Sequence, residues 1–159
     1  MVAHVGDFGF ARFVETSYHT SSSTGIRGTI GYTAPEYGVG SMMRSSGDVY
    51  SYGILLLEVM TGKMPNDGIF EEGLSLHKFA SMALPNHAMD VIDVNILNVY
   101  QEDKISMQNN EAYTKKVEEC LTSIIKIGVV CSVESPTLRM DMKTVVHELQ
   151  HIALTLQNN

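Results

Sequence analysis

His147, Glu148 and His151 stand in the order H-E-x-x-H near the end of the sequence. On a helix that spacing sets two imidazoles one turn apart on the same face, where they can hold zinc with a glutamate general base beside them. Such a site needs a third ligand. The extended motif asks for Gly at 154 and His at 157, but the sequence has Leu154 and Gln157, and only eight residues follow His151 to bring another ligand back. A zinc metallopeptidase is therefore the remote reading, and two solvated imidazoles on the last helix the plainer one. At the other end, Asp7-Phe8-Gly9 places a carboxylate beside a glycine, the residue for which a sharp turn costs least. Ser21, Ser22, Ser23 and Thr24 follow, four consecutive hydroxyls that can accept phosphate. Each phosphate adds nearly two negative charges and calls for a cation such as Arg12 or Arg27. A solvated loop with no such role is the competing reading.

The elements that must position these groups are mostly helices. His4-Val5 and Phe10-Ala11-Arg12 make two very short strand candidates around Gly9, a β-hairpin remnant. Residues 13–30 are rich in Ser, Thr and Gly without apolar periodicity, which marks a loop. Ala34 to Tyr37 can form one helical turn. Ser45-Ser46 are expected to cap a helix running through Asp48 to about Thr61, with Gly62 just past its end and Pro65 confirming the stop. That helix is apolar nearly all round, which predicts a buried position with neighbours on several sides. Further helices are expected over Leu74–Leu84, ending at Pro85, over His87 to about Ile92, over Glu111–Cys131 and over Met140–Leu156, with Val146 and Leu149 packed inward. Residues between Ile92 and Glu111 read as a polar stretch.

Bulk properties exclude several classes. The length of 159 residues, 44% hydrophobic, suffices for one globular domain or one lobe of a larger one. A net charge of −7 with eleven Lys and Arg argues against nucleic acid, whose phosphates need a basic face. Cys120 and Cys131 can be a single bridge or two reduced core thiols. Their place in a helical apolar pattern favours thiols and a cytosolic compartment. The N-terminus has no secretory signal, and Val49–Met60, interrupted by Ser51, Gly53 and Glu58, is too short to span a bilayer of about 30 Å.

Order and spacing join these pieces. After Asp7-Phe8-Gly9 come Gly28-Thr29-Ile30-Gly31-Tyr32-Thr33-Ala34-Pro35-Glu36, then Gly47-Asp48-Val49-Tyr50-Ser51-Tyr52-Gly53, then an isolated Arg139. Together they resemble the second half of a eukaryotic protein kinase domain, most closely the plant receptor-like serine/threonine kinases with leucine-rich-repeat ectodomains. The resemblance implies a mainly α fold, the C-terminal lobe of the kinase fold, truncated, with residues 1–153 as a partial kinase domain and 154–159 as a tail. It implies an activation segment over 7–36 and a central buried helix over about 46–61.

Site roles follow from the resemblance residue by residue. Asp7 would ligate the magnesium that bridges the phosphates of ATP, a hard donor for a hard cation, or else cap a turn and bind nothing. Thr29 matches the threonine of Ser/Thr kinases, and Gly31 and Tyr32 lie in the segment that shapes the pocket for the substrate residue just past the acceptor hydroxyl. Glu36 and Arg139 match a structural ion pair. Asp48 matches a buried aspartate bonded to catalytic-loop amides, so without those amides it should take a proton or open to water.

The catalytic loop H-R-D-x-x-x-x-N would lie about 18 residues before the Asp-Phe-Gly triplet, and the Gly-rich loop and phosphate-binding lysine further upstream. None of them is among these residues. Departures are Phe10 in place of the usual Leu and Val94-Asn95 in place of Asp-Pro. Met1 resembles an internal residue of a longer chain. The expectation is a catalytically inactive piece of a receptor-like kinase, arising from a partial gene model, pseudogene or late start. This chain would be cytoplasmic and the parent at the plasma membrane. Protein substrates or other kinases would be its partners. The competing reading is a non-enzymatic interaction module or dominant-negative lobe, self-associating through the exposed surface of the central helix.

Overall fold

The computed structural model describes residues 30–38, 44–70, 73–106 and 111–157, with residues 101–106 described by their backbone. All regular elements among them are helical. In chain order these are α1 (Pro35–Gly38), α2 (Ser45–Thr61), α3 (Leu76–Ala83), a 3-10 turn (Ala88–Val91), α4 (Val94–Ser106), α5 (Glu111–Cys131) and α6 (Met142–Gln157). The expected hairpin at residues 4–12 and the loop over 13–29 lie outside the described residues.

Helix ends follow local chemistry, with one departure from expectation. Gly62 terminates α2 at φ 67°, and its N–H bonds to the Glu58 carbonyl, the left-handed cap that a glycine adopts without steric cost. A Cβ there would also collide with the Asp93 carboxylate. At the start of α2, Ser45 and Ser46 are already helical, and Arg44 at the cap position makes no side-chain cap bond. The Tyr37 hydroxyl substitutes: it donates to the Arg44 carbonyl at 2.8 Å and accepts from the Arg44 N–H at 3.0 Å. Ser75 caps α3 by accepting from the Lys78 N–H at 3.1 Å, and Asp141 caps α6 by accepting from the Thr144 N–H at 3.0 Å.

The stretch read as polar, with no element assigned to it, contains helix α4. Asp93 starts it, accepting from the Asn95 N–H at 2.7 Å, while Ile96 and Leu97 pack onto the core. Val94 and Val99 stay exposed, and this weak contrast between faces is why the pattern did not read as a helix.

Two apolar clusters meet along α2 and α5. One gathers Ile54, Leu57 and Met60 of α2 with Leu76, Ala80, Ala88, Ile92 and Ile125. The other gathers Val49, Cys120, Ile127, Cys131, Val145 and Ile152. Leu57 is fully buried, a burial worth about 1.5–3 kcal/mol. The two long helices close on paired glycines. A Cβ on Gly53 would lie 2.7 Å from Cys131 Cβ and 2.9 Å from the Gly128 carbonyl oxygen, and one on Gly128 would lie 2.7 Å from Leu57 Cδ2.

Cys120 and Cys131 are both buried and free. Eleven positions of helix separate them by about 16 Å, beyond the reach of a disulfide. Burial pushes the Cys131 thiol up to about 11.

One packing expectation needs correction. On α6 the buried residues are Val145 and Ile152, with Leu149 partly covered, whereas Val146 is 47% exposed. Leu149 packs inward as expected, and the valine beside it in the core is Val145 rather than Val146. Helix α2 has neighbours on several sides, and the exposed apolar surface expected on it is present: Leu55 and Val59 are 50% and 59% exposed. With Asp48, exposed, and Tyr52, half-buried, they form one face at steps of four, three and four residues.

Candidate functional site

Four of the residues that the sequence singles out, Gly31, Tyr32, Glu36 and Arg139, gather against α2. Residues 30–37 run across this helix and are tied to it at four places. Gly31 turns the chain at φ 92°, a conformation suited to glycine, and a Cβ on it would lie 2.8 Å from Pro65 Cβ and Cγ. The Tyr32 carbonyl accepts from Ser51 Oγ at 2.8 Å, and the Tyr32 hydroxyl donates to Glu58 Oε2. That bond to a carboxylate, with desolvation adding to it, pushes the Tyr32 phenol up to about 12. Tyr37 packs its hydroxyl end over Gly47, where a Cβ would collide with the ring.

The fourth tie is the strongest. Arg139, in the loop between α5 and α6, sends Nη1 to Glu36 Oε1 at 2.6 Å and Nη2 to Glu36 Oε2 at 2.7 Å. This is the two-pronged geometry that a planar guanidinium permits. Its remaining bonds go to backbone carbonyls: Nε to Val133 at 2.7 Å, Nη1 to Ser46 at 2.9 Å and Nη2 to Glu134 at 2.8 Å. The guanidinium also lies over the Tyr50 ring, 5.0 Å from its centroid. The Arg139 bonds hold the Glu36 carboxyl below the usual carboxylate range against the opposing effect of burial. Burial raises the Tyr50 phenol. One residue thereby joins the 30–37 segment, the first turn of α2 and the loop that follows α5.

Of the residues expected to serve a site, Gly31, Tyr32, Glu36 and Arg139 are gathered here. Asp48, in the first turn of the same helix, points into solvent. Asp7, Ser21, Ser22, Ser23, Thr24 and Thr29 lie outside the described residues, as do Arg12 and Arg27. The His147 and His151 side chains are both exposed, and among the described residues no group of three His, Cys, Asp or Glu side chains is placed to hold a metal.

Sequence reasoning missed Ser51, Glu58 and Tyr50. The available signal was their spacing: Ser51 and Glu58, seven positions apart, share a face of the largely apolar stretch from Val49 to Met60. A second polar contact away from this site joins His77 Nδ1 to Ser132 Oγ at 2.8 Å, and the same hydroxyl donates to the Gly128 carbonyl at 2.7 Å. Burial lowers the His77 pKa.

Comparison with known proteins gives a consistent result. The family model described as protein tyrosine and serine/threonine kinase matches residues 1–149. The receptor kinase-like protein Xa21 of Oryza sativa subsp. japonica is 40% identical over 160 residues, which cover 98% of this chain and 15% of that protein. A probable leucine-rich-repeat receptor-like serine/threonine-protein kinase of Arabidopsis thaliana is 42% identical over 154 residues, covering 94% of this chain and 14% of that protein. The chain thus spans about one-seventh of the length of these relatives. Among solved structures, the pseudokinase domain of BIR2, an immune regulator of the RLK/Pelle family, superposes with a TM-score of 0.60 at 24% identity. The match covers 82% of this chain and 35% of that one, and establishes the shared fold.

Proposed function

This chain belongs to the protein kinase family, in its plant leucine-rich-repeat receptor-like serine/threonine branch, and forms part of the C-terminal lobe; from that premise we propose that it is the substrate-facing part of a kinase that phosphorylates Ser or Thr in proteins. The observation that carries this reading is the clamp on residues 30–37. A segment that receives a peptide must hold its backbone still, and Arg139, Ser51 and Glu58 hold this one at Glu36 and at both ends of Tyr32. Thr29, just before the segment, favours a Ser/Thr acceptor over Tyr. Residues 1–153 are read as the partial kinase domain, with the activation segment over 7–36 and phosphate acceptors at Ser21, Ser22, Ser23 or Thr24.

ATP and magnesium would be the cofactors of the whole enzyme, with Asp7 as a magnesium ligand. Asp7 lies outside the described residues, so that assignment rests on the family pattern. The 159 residues contain no H-R-D-x-x-x-x-N string and no Gly-rich phosphate loop. On their own they would therefore not transfer phosphate. In the receptor, this part would face the cytoplasm from a plasma-membrane protein; no described helix is long and apolar enough to cross a membrane.

The test pairs the purified chain with a chimera in which residues 1–159 replace the aligned span of the rice relative. With Mg-ATP and a Ser/Thr peptide library, the chain alone should transfer no phosphate. The chimera should phosphorylate Ser or Thr and lose that activity with Asp7→Asn. Phosphotransfer by the chain alone, or a folded chimera without activity, would overturn the reading.

The bare face of α2 at Leu55 and Val59 favours a second reading, a lobe that acts by binding. In that case the chain should self-associate, and a monodisperse monomer in analytical ultracentrifugation would count against it.

A further inference from the structure

We propose that Ser51 is a positioning residue for the substrate segment, holding the Tyr32 carbonyl so that residues 31–33 present a fixed backbone to the peptide substrate; the inference rests on the function proposed above. A serine inside a helix ordinarily turns its hydroxyl back to the carbonyl four residues earlier. Ser51 has that acceptor available, Gly47, at 3.2 Å, but lies closer to the Tyr32 carbonyl, at 2.8 Å. A hydroxyl carries one proton, so the geometry directs it outward across the helix surface to the segment. Serine is also a poorer helix former than alanine, and a half-buried position in the middle of α2 gives no local reason for it.

The consequence for the segment is specific. A trans peptide is planar, so fixing the Tyr32 carbonyl also fixes the direction of the Thr33 N–H. The neighbouring residue cannot supply this restraint, because Gly31 sits at φ 92° with no side chain to pack. Glu58, two turns further along α2, holds the Tyr32 ring through its hydroxyl and leaves the main chain free to rotate about it. Pro65 limits Gly31 from the outer side. Ser51 thus bonds from α2 directly to the main chain of the segment, at the Tyr32 carbonyl.

The experiment uses Ser51→Ala and Ser51→Thr, the second restoring a hydroxyl at the same Cβ. In the 159-residue chain, hydrogen exchange at Thr33 and Ala34 should speed up about two- to tenfold in Ser51→Ala, the range expected for one neutral hydrogen bond, and return in Ser51→Thr. Exchange in α5 should not change. In the chimera, Ser51→Ala should raise the peptide KM by a similar factor while kcat and the KM for ATP stay put, because the segment touches peptide and not nucleotide. Unchanged exchange overturns the proposal. Faster exchange with an unchanged peptide KM also overturns it, since the serine would then serve the fold alone. A wild-type chimera that phosphorylates nothing refutes the kinase reading and with it the substrate role, while the exchange result still decides whether Ser51 holds the segment.

Discussion

Replacing Arg139 by alanine should be the most damaging single polar change in the chain. A guanidinium has five N–H donors, and here five hydrogen bonds use them: two to the Glu36 carboxylate and one each to the carbonyls of Val133, Glu134 and Ser46. The side chain of Arg139 is 1% exposed and that of Glu36 is 15% exposed. Arg139→Ala therefore leaves a mostly buried carboxylate without its cation and three carbonyls without this donor. Removing one partner of a buried pair costs about 3–5 kcal/mol, a large part of the roughly 5–15 kcal/mol that holds a domain folded. At about 2–4 °C per kcal/mol for a chain of this size, the melting temperature should fall by roughly 6–20 °C. Arg139→Lys keeps the charge but not the fork, and should lose about 1.5–3 kcal/mol as charged hydrogen bonds disappear.

Urea denaturation of wild type, Glu36→Gln, Arg139→Ala and the double variant measures the coupling directly. If Arg139→Ala costs less than about 1 kcal/mol, or the cycle returns no coupling, the pair behaves as a surface contact and the clamp argument fails. The pair also sets a pH dependence. The folded Glu36 carboxyl titrates below its ordinary value, so the unfolded state binds the proton first. The contribution is complete above that ordinary value and is lost as pH falls through the lower folded one.

The remaining predictions concern the core. Burial lowers the His77 pKa below its ordinary 6.5, with Glu134 acting in the opposite direction. The unfolded state then takes up the proton more readily, and His77 contributes stability that is full above pH 6.5 and lost as pH falls through the folded value. Chemical denaturation from pH 7.5 to 5 should show a slope that His77→Asn flattens; an identical slope in the variant would count against the assignment. Gly53→Ala should destabilise by about 1–3 kcal/mol despite alanine's better helix propensity, because the added methyl meets Cys131 Cβ and the backbone of Ser132 and Gly128. Gly128→Ala should destabilise as well, since its methyl meets Leu57 Cδ2 and Cγ, and Leu57 is fully buried. Equal stability of Gly53→Ala and wild type in urea would refute the close crossing of α2 and α5.

What the sequence made legible was whatever a local rule controls. Gly62 ends α2 because a glycine is the residue that takes φ 67° cheaply, and a run from Glu111 to Cys131 with apolar residues at helical spacing became α5. The cap of α2 went unread because it comes from a side chain seven residues back, Tyr37, and not from the serines beside it. Helix α4 escaped because Val94 and Val99 point outward while Ile96 and Leu97 pack inward, so the apolar residues outline no single face. On α6 adjacent valines blurred the register, and packing against α5 buried Val145 rather than Val146. Glu36 and Arg139 were legible as members of a family pattern. The carbonyls that Arg139 also binds were not, because backbone groups leave no mark on a sequence.

Helix α2 explains why the fold and the site belong to one object. Its buried face carries Ile54, Leu57 and Met60 into the core. Its polar face carries Ser51 and Glu58 to Tyr32, and its first turn offers the Ser46 carbonyl to Arg139. A third face, Leu55 and Val59 with Asp48 at its head, is exposed among the described residues. Apolar side chains exposed at such regular spacing are the signature of a surface that something covers. In a kinase domain, the part carrying the catalytic loop is the natural cover, and it would then rest on the same helix that holds residues 30–37. Catalytic groups and peptide platform would be referred to one rigid rod, so a change that tilts α2 should move both together. Gly53→Ala, which pushes α2 from α5, should therefore lower kcat and raise peptide KM in the chimera, whereas Ser51→Ala should alter peptide KM alone.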